Sequence, residues 1–164
     1  ISHTDAQPPL FEALHSPDAE VRAEAAAALG ERGGAEAVER LRVVAATDAA
    51  PSVVEAATDA LERVATPEAI AGLLALAADP SRYELAVAAL ARTREALLEE
   101  VARGLSPQRP AEVRRAVVEA LGRMKSRRAA ELLRGAYDDA DAAVRSAARG
   151  YGRTAFGKPP GDIG

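Results

Sequence analysis

The sequence predicts an all-α fold, an α-solenoid of about five two-helix units wound as a right-handed α/α superhelix. Three observations carry that expectation. DAEVRAEAAAALG at residues 18–30 returns as PAEVRRAVVEALG at residues 110–122. Two interleaved apolar series share one period, and prolines fall where the second helix of a unit should begin.

The first series is Leu29, Leu61, Leu90 and Leu121, separated by 32, 29 and 31 residues. Val21, Val53, Val113 and Val144 open such patterns, and 113 to 144 is again 31. The second series, Leu10, Leu41, Ile70, Val101 and Leu132, is spaced 31, 29, 31 and 31. Two series with one period mean a helical hairpin repeated, since self-similarity at a fixed spacing of roughly 20 to 50 residues marks stacked repeats. First helices are expected at 8–15, 35–47, 67–78, 94–106 and 127–138, and second helices at 18–30, 51–64, 80–91, 110–123 and 141–153.

Local chemistry supports each element in turn. Pro17, Pro51, Pro80 and Pro110 stand at the starts of second helices and Pro67 at the start of a first helix. Proline is tolerated there because its missing N–H would be unpaired in a first turn. Gly30, Gly33, Gly34 and Gly122 are expected to end second helices in the left-handed conformation. Gly104 and Gly135, each preceded by Arg at equivalent places in the fourth and fifth first helices, are expected to admit close helix approach. Within 18–30, Val21, Ala25, Ala28 and Leu29 fall at i, i+4, i+7 and i+8, a stripe that a lone helix cannot bury. Stacked neighbours bury it, which gives a curved wall of second helices.

The repeats divide as 8–34, 35–65, 66–92, 93–124 and 125–153, one domain between a disordered segment 1–7 and a Gly/Pro-rich tail 154–164. The chain opens ISHTDAQ without methionine, so a domain cut from a longer protein is expected. Composition bounds the rest: 48% apolar, 28% charged and 3% aromatic residues describe a folded soluble chain, and the alanine and arginine richness suggests a bacterial source. A cytoplasmic location is expected, with any signal sequence lying outside this fragment. There is no cysteine, which excludes disulfides, thiolate zinc sites and a cysteine nucleophile. The apolar run AIAGLLALAA at 69–78 is far shorter than the roughly 20 residues of a spanning helix, so no membrane is expected as partner.

VRAEAAAALG at 21–30 and VRRAVVEALG at 113–122 resemble short HEAT-like repeats of the kind found in phycobilisome lyase subunits, over about residues 8–153. The third repeat departs, with Arg82-Tyr83 in place of Val-Arg, and the fifth, VRSAARGYG, is one residue short. The resemblance implies a ladder of Asp and Arg at the start of second helices. Asp18 with Arg22 and Asp141 with Arg145 match it, whereas Arg114 has Pro110 where the acid would stand.

No pattern argues for an enzyme, and no cofactor or metal is expected. GRTAFGKP at 152–159 carries G-x-x-x-x-G-K, yet Pro159 replaces the magnesium-holding Ser or Thr and no strand precedes it. Glu99-Glu100 and Asp138-Asp139 are neighbours that point apart on a helix and read as solvated. His3 and His15 are the only imidazoles, and His15 reads as a capping or surface residue.

Charge is uneven. Residues 1–102 hold 8 Lys/Arg against 18 Asp/Glu, and residues 103–164 hold 13 against 7, within a formal net charge of −4. Candidate partner-binding residues are therefore Arg22, Arg114, Arg115, Arg123, Lys125, Arg127 and Arg128. The reading is a non-catalytic protein-interaction scaffold whose basic end meets an acidic protein, because opposite potentials steer and register a complex. Alternatives are DNA binding through the same arginines, suggested by DNA glycosylases built of HEAT-like repeats, a phycobilin-lyase-type subunit, and an accessory domain of a larger enzyme. Against nucleic acid stand the net negative charge and the few aromatic residues for stacking.

Overall fold

A computed structural model describes residues 7–156, and among them every regular element is helical. The chain forms two compact units, Ile1–Leu76 and Ala77–Gly164. His3 and Lys158 of the G-x-x-x-x-G-K pattern lie outside the described residues, as do most of the N-terminal segment and tail expected above.

The first unit contains α1 (Gln7–Ala13), α2 (Ala19–Arg32), α3 (Ala35–Thr47), α4 (Pro51–Val64) and α5 (Pro67–Leu76). α2 packs along α4, while α3 packs against α4 and α5 and α1 against α2, so hairpins are stacked in two layers. Asp18 starts α2 by accepting the Glu20 N–H at 2.9 Å; Gly33 ends it with positive φ, +70°, but with ψ −159° rather than the left-handed helical conformation expected, and Gly34, at φ +98°, is the N-cap of α3. α4 begins on Pro51 and closes on Ala65, which takes the left-handed conformation at φ +51° without being glycine. Both apolar series meet in the core, where Leu29, Leu41, Val53, Leu61 and Ile70 are buried. Burial of each such side chain contributes about 1.5–3 kcal/mol before ordering entropy is counted.

The second unit contains α6 (Tyr83–Ala91), α7 (Leu98–Ala102), α8 (Ala111–Arg123), α9 (Arg127–Leu133) and α10 (Ala142–Phe156). α8 packs against α6 and α10, which is why it buries Val113, Ala116, Val117, Val118, Ala120 and Leu121 on two sides. α9 packs against α8 and α10, and α7 against α9. The expected helix 94–106 is instead a short α7 between 3₁₀ turns at Glu95–Leu97 and Arg103–Leu105, and α9 likewise closes in a 3₁₀ turn, Arg134–Ala136. Gly104 and Gly135 sit in these closing turns. A Cβ on Gly135 would have its nearest neighbour at 4.0 Å, so close approach is not its role.

Two other expectations are corrected. α6 starts at Tyr83 rather than at residue 80, because Asp79 holds the preceding residues in a turn. Its carboxylate accepts the Ser81 N–H at 2.9 Å, the Ser81 hydroxyl at 2.7 Å and Arg82 Nη1 at 2.8 Å. These bonds, the Ser81 hydroxyl first, hold Asp79 below the usual carboxylate range. Gly30 and Gly122 do not end their helices: both lie inside α2 and α8 with ordinary φ. Their reason is proximity, since a Cβ on Gly30 would stand 2.6 Å from Ala60 Cβ and 2.8 Å from its Cα.

Gly30→Ala is expected to lower stability by about 1–3 kcal/mol, because backbone of α4 must move to admit the methyl group. Gly135→Ala should instead raise it by about 0.5–1 kcal/mol by stiffening the unfolded chain. Urea midpoints of the two variants against the parent check both signs.

Candidate functional site

The position seven residues before the leucine of each second helix holds Arg22, Val54, Tyr83 and Arg114, and the period continues it to Arg145. Arg22 grips Asp48 with two nitrogens, Nε at 3.0 Å and Nη2 at 3.2 Å, and donates Nη1 to the Ser16 carbonyl at 2.8 Å. Arg114 repeats the pattern: Nε and Nη2 each reach Asp139 at 3.0 Å, and Nη1 donates to the Arg109 carbonyl. The acid is therefore not the residue at the helix start. Asp48 and Asp139 lie two residues upstream of it, each also accepting a backbone N–H, from Ala50 and Asp141 at 2.9 Å. Asp18 and Asp141 serve their own helices, accepting the N–H of Glu20 and of Ala143, both at 2.9 Å.

These pairs are covered. The Arg114 and Asp139 side chains are 10% and 8% exposed, so Asp139, expected to be solvated beside Asp138, is not. Burial would raise the Asp139 pKa, but the Arg114 hydrogen bonds and the Asp141 N–H outweigh it and hold the carboxyl below its ordinary value. The same bonds push the Arg114 guanidinium up. Tyr83 takes the arginine's place in the third repeat. Its hydroxyl is buried with no hydrogen-bond partner among the described residues, and burial first, then the Glu119 charge, raises its pKa. Arg145 makes the backbone half of the pattern, donating Nη1 to the Asp139 carbonyl at 2.6 Å and the Ala140 carbonyl at 3.1 Å.

Of the seven candidate residues, Arg22 and Arg114 are thus held inside the fold. Arg115, Arg123, Lys125, Arg127 and Arg128 are exposed, all in the second unit. Arg115 pairs with Glu119 at 3.2 Å, and Arg128 with Glu99 and with Glu131 at 3.3 Å. Looser pairs join Arg123 to Glu84 at 3.5 Å and Arg127 to Glu131 at 3.7 Å. Lys125 has no carboxylate partner among the described residues. Arg123, Lys125 and Arg127 edge a cleft of about 760 Å³ where the end of α8 and the turn into α9 face α10. Leu121, Met124, Ala130, Leu133 and Tyr151 supply its apolar lining. The Tyr151 ring lies on Gly122, where a Cβ would stand 2.3 Å from the ring.

A smaller cleft, about 370 Å³, lies in the first unit between Phe11, Glu12, His15, Glu36 and Arg40. Arg40 stacks over the Phe11 ring at 4.7 Å from its centroid. Among the described residues no group of His, Cys, Asp or Glu is placed to hold a metal ion, and no helix is long and apolar enough to cross a membrane.

A family model described as HEAT repeats matches residues 7–91 and 83–151. The chain belongs to the HEAT-repeat family. Its fold class is the α-solenoid that the period predicts. No curated protein matches the sequence. Among solved structures, the chain is similar to a chain of the CpcE–CpcF complex of phycocyanin lyase from Nostoc sp. PCC7120, at 23% identity and a TM-score of 0.50. The likeness covers 94% of this chain and 66% of that one, and at this identity it concerns the fold alone. A designed armadillo repeat protein is similar at 18% identity and a TM-score of 0.44, over 92% of this chain and 82% of its own.

The sequence reading of this HEAT-repeat chain names basic residues and does not name Met124, Tyr151 and Ala130, which line the same cleft as Arg123, Lys125 and Arg127. The available signal was repeat five itself, where Tyr151-Gly152 replaces the Ala-Leu of Ala60-Leu61 and Ala120-Leu121. The ring moves one residue along the helix and lands on Gly122.

Asp139→Asn is expected to lower stability by about 2 kcal/mol at neutral pH, as a charged hydrogen-bonded partner of Arg114 is lost. The contribution of Asp139 is present above its unfolded pKa, near 3.8, and disappears as the pH falls through the depressed folded value. The parent should therefore approach the variant in stability as pH falls below about 4, a convergence that denaturation curves at several pH values measure.

Proposed function

We propose that this chain is a non-catalytic protein-interaction module whose second unit engages an acidic protein partner. The observation that supports this reading is the grouping of Arg123, Lys125 and Arg127 around one apolar-lined cleft, with Lys125 not neutralised by a carboxylate among the described residues. In a chain of net charge −4, a local cationic edge is a directional feature rather than a general attraction for polyanions. Charges of this kind at a rim raise the rate of encounter and fix register, while apolar contact beneath them slows dissociation. HEAT-repeat helices suit the task because their packed core holds the presenting side chains on rigid elements.

The test is affinity capture with the parent and with Arg123→Glu, Lys125→Glu, Arg127→Glu and Arg128→Glu combined, from nuclease-treated lysate at low and moderate salt. The parent should retain acidic proteins that the variant loses, with retention weakening as salt screens the charges. Retention of every partner by the variant would sink the proposal. Recovery only before nuclease treatment would point to nucleic acid instead.

A further inference from the structure

We infer that the cleft between the end of α8, the start of α9 and α10 is a docking site for a short acidic peptide segment that carries one apolar anchor side chain. This rests on the protein-partner reading above and names the chemistry of what the partner presents. Three cations stand at alternate positions, Arg123, Lys125 and Arg127, along the edge of the cleft. The two arginines hold their nearest carboxylates loosely, and Lys125 holds none among the described residues, so incoming carboxylates displace little.

The lining specifies the rest of the ligand. Leu121, Ala130 and Leu133 line the cleft as buried core residues, and the partly exposed Met124 and Tyr151 supply the apolar surface within reach of a ligand. Methionine adapts its shape to an inserted group, and tyrosine offers a rigid wall with little entropy to lose on binding. At the equivalent contact in the first unit, Gly30 is covered by Ala60, whose small side chain leaves no such wall. The volume of about 760 Å³ exceeds that of any single side chain, so peptide backbone flanking the anchor fits within it. A polynucleotide is the poorer match, because its phosphates need cations along a track and its bases need aromatic faces, whereas here the cations edge one apolar hollow.

The experiment uses fluorescence anisotropy at low salt with the whole chain and three labelled ligands. One is a synthetic peptide of glutamates around a central Gly-Phe, the second replaces the Phe by Ser, and the third is a single-stranded oligonucleotide of matched charge. The anchored peptide should bind at least about tenfold more tightly than the second, as expected for burial of one large apolar side chain. Lys125→Glu with Arg127→Glu should weaken both peptides. Thr154→Trp, at an exposed position on the cleft wall, should remove the advantage of the anchor alone, with an unchanged thermal melt confirming its fold.

Equal binding of the two peptides, abolished by charge reversal, overturns the anchored cleft and leaves the acidic-partner reading standing. Binding of neither peptide overturns the cleft, while the capture experiment independently decides the broader reading. Tighter binding of the oligonucleotide than of the anchored peptide overturns both.

Discussion

Each second helix has to be covered on two sides, and the molecule is organised around that requirement. α8 meets it with Val113, Ala116, Val117, Val118, Ala120 and Leu121, buried between α6 and α10. Helices can lie this close only where side chains are small, which is why alanine is so abundant in the second helices. The limit is reached at Gly30, where even a methyl group would overlap Ala60. Interiors packed to the density of organic crystals have no slack for such an addition. Dispersion and burial along these seams provide the stability, and the ion pairs are placed around them.

Those pairs do a different task from the other surface charges. Arg22 and Arg114 each tie a second helix to the turn that precedes the following one, and they also take up a backbone carbonyl at the start of their own helix. Several bonds converge on one planar group, a geometry lysine cannot supply. Arg123 and Arg127 make single loose contacts at the surface, where an exposed pair contributes little to stability. Identical side chains thus lock the fold at one register and stand exposed at another, and what separates them is burial and the number of bonds.

How much of this is legible in the sequence follows from the range of each interaction. Helix starts at Ala19, Pro51 and Ala111 are local, decided by Asp18 or a proline within a residue or two, and they are read within a residue. The two-helix period is local as well. Gly33 is readable as a helix end because its neighbours on the chain explain it. Gly122 is not, because its reason is the Tyr151 ring 29 residues away. The broken first helix at 95–105 fails for a related reason, since EALLEEVARGL alone does not say which carbonyl the last N–H groups will choose. Around the cleft, charges are visible in any sequence as letters, but the hollow between them exists only once α8, α9 and α10 are assembled.

The buried Arg–Asp pair also constrains how such a chain can change over generations. Loss of Arg114 alone would leave Asp139 covered and uncompensated, and loss of Asp139 alone would strand the guanidinium, so each single step passes through a destabilised intermediate. The third repeat holds the alternative state. Tyr83 stands in the arginine register and Gln108, 31 residues before Asp139, stands in that of the aspartate, so both charges are gone together. Between the first, third and fourth repeats of this one chain, arginine and aspartate at these two positions are present together or absent together.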